Sequence, residues 1–481
     1  MRWPHLVTWM ALLATNAGAQ GVRITGSSWW QGIDLRPFRR DSVARSLTTE
    51  SNGIRRGPDG TIVSCPDGVA YCAFLAAATR VLLQPVLHDI SVAGWGMGEG
   101  ISVHAHGRAR TPLGEGDPSW PRMADPFDLL DAYVEVDRTR GRLRLGRQWT
   151  LGGLGAYSYD GGSLLIRGGA FDGEVLGGRA LVQGINEAYT AEEIGQVDDL
   201  PPDNGAWLVG GRGRWRSTSG VQALTAAYLR IIADDRSGVY ADRVALDGST
   251  RWLGARMDAA LAYDLASGIA NEARIRAARR ITRGLDLSAE VRRHRPFFEL
   301  WTIWGAFAPV GFDEVRVTGT WTSADGGRSV SASSARRRYS DPGTGLQSVP
   351  LRTDGWRLAM DGSWQPGEAW SVVASYGADV GVGASQTDGL AGFLWRPTRE
   401  ADFGASFSAR QTIYEYRVGT GRVLGGFAHA SMALRPDLRL RVEAGQYRHR
   451  LTNDAVGPDW SQRRASVRLE WAVGADPGRD R

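Results

Sequence analysis

His429 and Ser431 stand two residues apart in the stretch FAHASMAL (427–434). In an extended strand, residues i and i+2 share a face. An imidazole and a hydroxyl would then project together, the arrangement by which a base activates a nucleophile. The opposite parity, Ala430, Met432 and Leu434, is apolar. Other catalytic signatures are missing: the chain has no H-E-x-x-H, Walker A, G-x-S-x-G or paired C-x-x-C sequence. No cofactor and no metal site is expected. The glycines of GWGMGEG (94–100) depart from G-x-G-x-x-G and read as residues that thin or kink a strand.

A larger set of charges follows the same parity. Arg142, Arg144, Arg212, Arg214, Arg256, Arg274, Arg276, Arg292, Arg357, Arg439, Arg441 and Arg468 each alternate with apolar neighbours. Asp258, Asp264, Glu290, Glu443 and Glu470 fall on the same faces. The chain has no lysine, so all 57 basic residues are guanidinium cations that pH does not neutralise. With a net charge of only +5 and the arginines dispersed, nucleic-acid binding is not indicated. The stretch 185–205 is different. It carries Glu187, Glu192, Glu193, Asp198, Asp199 and Asp203 with no basic residue.

The elements that must position these residues are strands. From about 86 to 473 a unit of some ten residues of alternating polarity recurs, separated by turn formers. In PDLRLRVEAGQYRHRL (436–451), Leu438, Leu440 and Val442 oppose Arg439, Arg441 and Glu443. In RASVRLEWAVG (464–474), Val467, Leu469, Trp471 and Val473 oppose Arg468 and Glu470. No long window keeps a helical period with caps. Short connectors are expected at 217–220, 246–250, 323–327, 365–368 and 435–438, and longer ones at 111–126, 149–163, 185–205, 338–354 and 452–463. A soluble sandwich would need a second apolar layer to cover these strands, and a propeller would show a blade period, which is absent. The expected fold is therefore all-β: a transmembrane antiparallel up-and-down barrel of about 16–20 strands, with short periplasmic turns and long extracellular loops. Trp252, Trp321, Trp356, Trp364, Trp370, Trp395 and Trp471 lie at strand ends, where interfacial girdles are expected. A charge on the lipid face costs about 2–4 kcal/mol near the midplane, so the arginine faces are expected to line the lumen.

Residues 1–19 read as a secretory signal peptide: Arg2, the apolar run LVTWMALLA (6–14), then Ala17 and Ala19 as the small residues of a cleavage site. Residues 20–85 lack the strand rhythm and are expected to be a plug, a periplasmic module or an elaborated first strand. Within them Cys65 and Cys72 flank Pro66, Asp67 and Gly68, so a disulfide closing a hairpin is expected in an exported chain. The barrel is assigned to 86–474 and a polar tail to 475–481.

The segments AYVEVDRTRGRLRLGRQW (132–149) and YDGGSL (159–164) resemble an early hairpin of Gram-negative outer-membrane porins, and the architecture resembles that class over about 86–473. The resemblance implies an outer-membrane channel for passive diffusion of small hydrophilic solutes, and the arginine excess adds a weak anion preference. It implies contact with outer-membrane lipid and lipopolysaccharide, recognition of the C-terminal strand by the barrel assembly machinery, and a possible homotrimer. It also suggests that 185–205 folds inward as an acidic constriction loop; a solvated loop bridged to lipopolysaccharide by divalent cations is the alternative. His429 and Ser431 resemble the His-x-Ser pair of outer-membrane phospholipases, which an Asn on a neighbouring strand completes. Here no Asn precedes Asn453. A barrel hydrolase and a plugged structural or adhesive barrel are the competing readings.

Overall fold

The computed structural model describes residues 21–474 except 36–37, 52–53, 67, 78, 114–126, 182–205, 234–238, 296–310, 341–352, 382–383, 416–419 and 452–459. The expected signal peptide, the polar tail and the acidic candidates of 185–205 lie outside the described residues. Strand β1 spans Gly21–Leu35. Short strands follow: β2 (Phe38–Ala44), β3 (Thr49–Ser51), β4 (Ile54–Arg56), β5 (Tyr71–Ala77) and β6 (Val81–Leu83). Long strands then run in series: β7 (Pro85–Trp95), β8 (Ile101–Pro112), β9 (Phe127–Arg138), β10 (Gly141–Gly152), β11 (Gly155–Gly168), β12 (Phe171–Leu181) and β13 (Ala206–Arg216). Next come β14 (Ala223–Ala233), β15 (Val239–Trp252), β16 (Ala255–Asp264), β17 (Ile269–Thr282), β18 (Leu285–His294), β19 (Phe312–Thr322) and β20 (Arg328–Tyr339). The last are β21 (Asp354–Gly367), β22 (Trp370–Val380), β23 (Ala384–Trp395), β24 (Ala401–Glu415), β25 (Gly421–Arg435), β26 (Leu438–Leu451) and β27 (Trp460–Gly474).

Each of β7 to β27 pairs antiparallel with its sequence neighbour, and β1 closes the ring between β7 and β27. The result is a closed up-and-down barrel of 22 strands, with β6 attached to the end of β1. Closure leaves no unpaired edge, the condition for crossing a bilayer with strands. The strand number exceeds the expected 16–20, and the barrel begins at Gly21 rather than at 86. The sequence concealed β1 because Trp29 and Trp30 put an aromatic ring on each face and erase the alternation.

Directly paired residues share a face, so exposure and register together separate outside from inside. Ile275 and Val315 are 58% and 56% exposed, and Val175, Leu358 and Met360 likewise stand free on the outer face. A contiguous apolar exterior of this size needs a hydrocarbon partner. The chain is a closed β-barrel with an apolar exterior, the form in which strands span a membrane. Tight connections such as 139–140, 169–170, 253–254, 283–284 and 436–437 share one rim with both ends of the ring, where Arg23 pairs with Gly474. The opposite rim carries the longer connections, among them 113–126, 182–205 and 295–311.

Two expected connectors are strand instead. LDGST (246–250) lies within β15, where Asp247 pairs with Thr225 and Ala260, so the ladder overrides local turn chemistry. The stretch 149–163 is mostly strand, with its turn confined to 153–154. GWGMGEG, conversely, provides the turn at 96–100 between β7 and β8. Trp252, Trp321, Trp364, Trp370, Trp395 and Trp471 occupy the short-turn rim, where Trp370 stacks on Trp395 with centroids 5.5 Å apart. Trp356 sits near the other rim.

Candidate functional site

One hairpin leaves the wall. Strand β10 pairs with β9 only as far as Arg147, opposite Ala132, and β11 pairs with β12 only from Ser158 onward. Between these points β10 and β11 pair with each other alone, down to Gly152 and Gly155. Glycine makes the departure feasible. Gly146 has φ 129°, and a Cβ on Gly161 or Gly178 would collide with the facing backbone of the other. Gln148 is held at the bend: the Ser163 hydroxyl donates to its Oε1 at 2.9 Å, and its Nε2 donates to the Gly161 carbonyl at 3.2 Å.

The tip folds over the inside of β13–β15. Leu154 and Tyr159 are buried with Leu208, Leu229, Ile231, Ala241, Ala245 and Ala262. Arg243 Nη1 donates to the Leu154 carbonyl at 2.8 Å and to the Tyr157 hydroxyl at 3.1 Å. Arg212 Nη1 donates to the Leu151 carbonyl at 3.1 Å. These guanidiniums satisfy carbonyls of the tip that would otherwise be stranded away from the ladder. Burying the Leu154 side chain alone is worth about 1.5–3 kcal/mol. The hairpin is thus a packed ledge inside the barrel, made by residues that look like a loop in the sequence.

Elsewhere the inner wall is charged. Across β16 to β22 one paired row reads Asp258, Arg276, Glu290, Arg316, Ala335, Arg357, Asp379. Beside it, Arg292 Nε donates to Glu272 at 2.7 Å, Arg316 Nη2 lies 2.7 Å from buried Glu314, and Arg337 joins Glu314 to Asp379. A recess of about 560 Å³ on the inside of β11–β17 brings Arg212, Arg214, Arg256 and Arg274 together with Glu174, Asp247 and Asp258.

By register, all fifteen lining candidates from the sequence fall on the inward parity: Arg142, Arg144, Arg212, Arg214, Arg256, Asp258, Arg274, Arg276, Glu290, Arg292, Arg357, Arg439, Arg441, Glu443 and Arg468. Arg144 pairs with Glu135 and Arg212 with Glu174, at 2.5 and 2.6 Å. Arg142 lies 3.7 Å from Glu174. Arg256 pairs with Asp258, Arg441 with Glu443 and Arg468 with Glu470, at 3.0–3.2 Å. Glu135, Glu174, Glu272, Glu314 and Asp379 complete these networks and escaped the sequence reading; the signal for each is its parity with neighbouring arginines. Among the described residues, Arg214, Arg251, Arg274, Arg276 and Arg357 have no carboxylate within 4.0 Å. All five are exposed although they point inward. Asp247, Asp264, Glu290, Asp361 and Asp388 are inward acids with no arginine within 4.0 Å among the described residues.

His429 and Ser431 share the inward face, but nothing joins them. His429 Nε2 lies 3.3 Å from Asp402 Oδ1, while Ser431 Oγ accepts from Arg439 Nη1 at 2.9 Å. The buried serine therefore faces a permanent cation in place of a base. Cys65 and Cys72 form a disulfide. It lies at the β2–β5 hairpin, on the chain that links β1 to β7 at the long-loop rim.

No family model matches the chain, and no curated protein sequence matches it. Among solved structures it is similar to OpdQ of Pseudomonas aeruginosa, at 9% identity and a TM-score of 0.41 over 95% of this chain and 98% of that one. It is also similar to OccAB1 of Acinetobacter baumannii, at 10% identity and a TM-score of 0.42 over 96% and 100% of the two chains. The outer membrane channel DcaP of Acinetobacter baumannii matches at 9% identity and a TM-score of 0.36, covering 95% and 98%.

Proposed function

We propose that this barrel is a porin-type channel for passive diffusion of small hydrophilic solutes, with a weak preference for anions. The observation that carries the reading is the solvent exposure of inward-pointing Arg214, Arg251, Arg274, Arg276 and Arg357. A barrel of 22 strands is wide enough to hold water inside. The β10–β11 hairpin narrows it from one side and sets the size limit, in the role that the sequence suggested for 185–205. Solutes then pass between the ledge and the charged wall, where exposed guanidiniums without a carboxylate partner favour anions slightly. Transport follows from width and charge, and no reaction is involved.

Single-channel recording in a planar bilayer tests this reading. A steady ohmic conductance is expected, with a reversal potential displaced toward the anion under a potassium chloride gradient. Absence of conductance would overturn the channel; a cation-directed reversal potential would overturn only the selectivity.

A further inference from the structure

The outer face carries its own arginines, and they gather at the long-loop rim. Arg147, Asp160 and Arg179 are direct cross-strand partners in one outward row, and Arg293, Asp313 and Arg338 form another. Each row places a carboxylate between two guanidiniums. Arg147 grips Asp160 through two bonds of 2.7 and 2.8 Å, and Arg293 holds Asp313 at 2.8 Å.

The sector β25–β27 is less compensated: Asp34 of β1 is the direct partner of Arg463, but its carboxylate is held by Arg80 at 2.8 Å. Arg422 is the direct partner of Arg450, and Arg448 and Arg463 stand on the same outward parity one turn of the pleat away. Among the described residues none of the four has a carboxylate within 4.0 Å. Two like charges directly opposite on adjacent strands repel, and arginine cannot escape by losing its proton. The patch sits immediately above outward Leu424, Val442 and Val467, which are part of the lipid-facing band.

We infer that Arg422, Arg448, Arg450 and Arg463 form a binding site for the phosphate groups of an anionic lipid in the leaflet at the long-loop rim. The fit is chemical. Guanidinium forks match phosphate oxygens bidentately, and a headgroup held there would lay its acyl chains along Leu424 and Val442. In outer membranes the longer loops face outward, so the ligand class is a phosphorylated glycolipid of the lipid A type. The inference rests on the outer-membrane reading of the barrel but not on the channel reading.

The test uses the purified full-length protein in detergent micelles, titrated with bis-phosphorylated lipid A and followed by native mass spectrometry and thermal unfolding. The native protein is expected to retain lipid and unfold at a higher temperature in its presence. The double variant Arg422→Gln/Arg450→Gln is expected to bind roughly tenfold or more weakly, as expected when charge-assisted phosphate contacts are lost. Arg448→Gln/Arg463→Gln gives the same readout if the first pair does not fold. Arg293→Gln, in a row that already contains its own carboxylate, should leave binding unchanged. Equal binding by native and patch variants, or equal binding of dephosphorylated lipid A, would overturn the site. Protection by inorganic phosphate alone would reduce it to a simple anion site and overturn the lipid assignment. Bilayer conductance of the patch variants should match the native protein, which separates failure here from failure of the channel.

Discussion

The inner wall has two sectors built on the same alternation and put to opposite uses. Over the long-loop half of β13–β16 the inward residues include Leu208, Leu229, Ile231, Ala241, Ala245 and Ala262, and the hairpin tip covers them. Inside β17–β22 they include Arg274, Arg276, Glu290, Arg316, Arg357 and Asp379, which are exposed or half-exposed on the lumen side. A barrel needs polar inward residues only where its lumen is wet. The apolar inward patch is therefore the footprint of something that docks there, and the docked element is the chain's own β10–β11 ledge. Wall chemistry on the inside thus records which part of the lumen is filled by the ledge and which part is open.

Removing the ledge is the most drastic way to break this contrast. Excision of 150–156 with closure by a short turn should raise single-channel conductance several-fold and admit larger sugars in a liposome-swelling assay. An unchanged conductance would show that the constriction lies elsewhere. The docking core is next. Leu208→Ala, at a fully buried inward position, should cost about 2–5 kcal/mol in urea unfolding. Ser333→Ala, inward but in the wet sector, should stay within about 0.5 kcal/mol. Similar losses at both sites would erase the distinction between sectors. Charge reversal sharpens the other half of the comparison: Arg274→Glu with Arg357→Glu should move the reversal potential toward cations with little change in unfolding temperature. The same pair of substitutions on the outer rim should not move it.

The smallest effect lies outside the membrane, in the turn between β19 and β20. The Ser323 hydroxyl and the Gly327 amide hold the Asp325 carboxyl below its usual range. A depressed folded value means that its stabilisation is fully present above the ordinary carboxylate pKa and is lost as pH falls through the lowered value. Asp325→Asn should therefore lower the neutral plateau of the thermal unfolding curve slightly and flatten its fall toward acid, where variant and native protein converge. A steeper acid limb in the variant would contradict this sign.

Local pattern was informative wherever one face meets hydrocarbon and the other meets water. Leu438, Leu440 and Val442 against Arg439, Arg441 and Glu443 are legible because each face has a single environment along the strand. The ledge was not legible for the opposite reason. In LGGLGAYSYD (151–160) glycine, leucine and tyrosine carry no period, and the partners that bury Leu154 come from remote strands. Arg243 reaches it across 89 positions of sequence. The apolar inward residues of β13 to β15 make their strands hydrophobic on both faces, which blurs alternation there as well. His429 and Ser431 show the converse error: sequence parity placed them together correctly, but only the neighbouring Arg439 and Asp402 reveal that their polar atoms are engaged separately.

By itself the sequence determined the strand architecture, the bilayer-facing side of most strands, the disulfide and the arginine character of the inner wall. These follow from period-two geometry and the cost of charge in lipid, which act residue by residue. Tertiary structure alone decided three things: closure of the ring by Gly21–Leu35, the inward turn of the β10–β11 hairpin, and which arginines have carboxylate partners. Each depends on which strands become neighbours around the barrel, and cross-strand register is a property of the closed sheet rather than of any one segment.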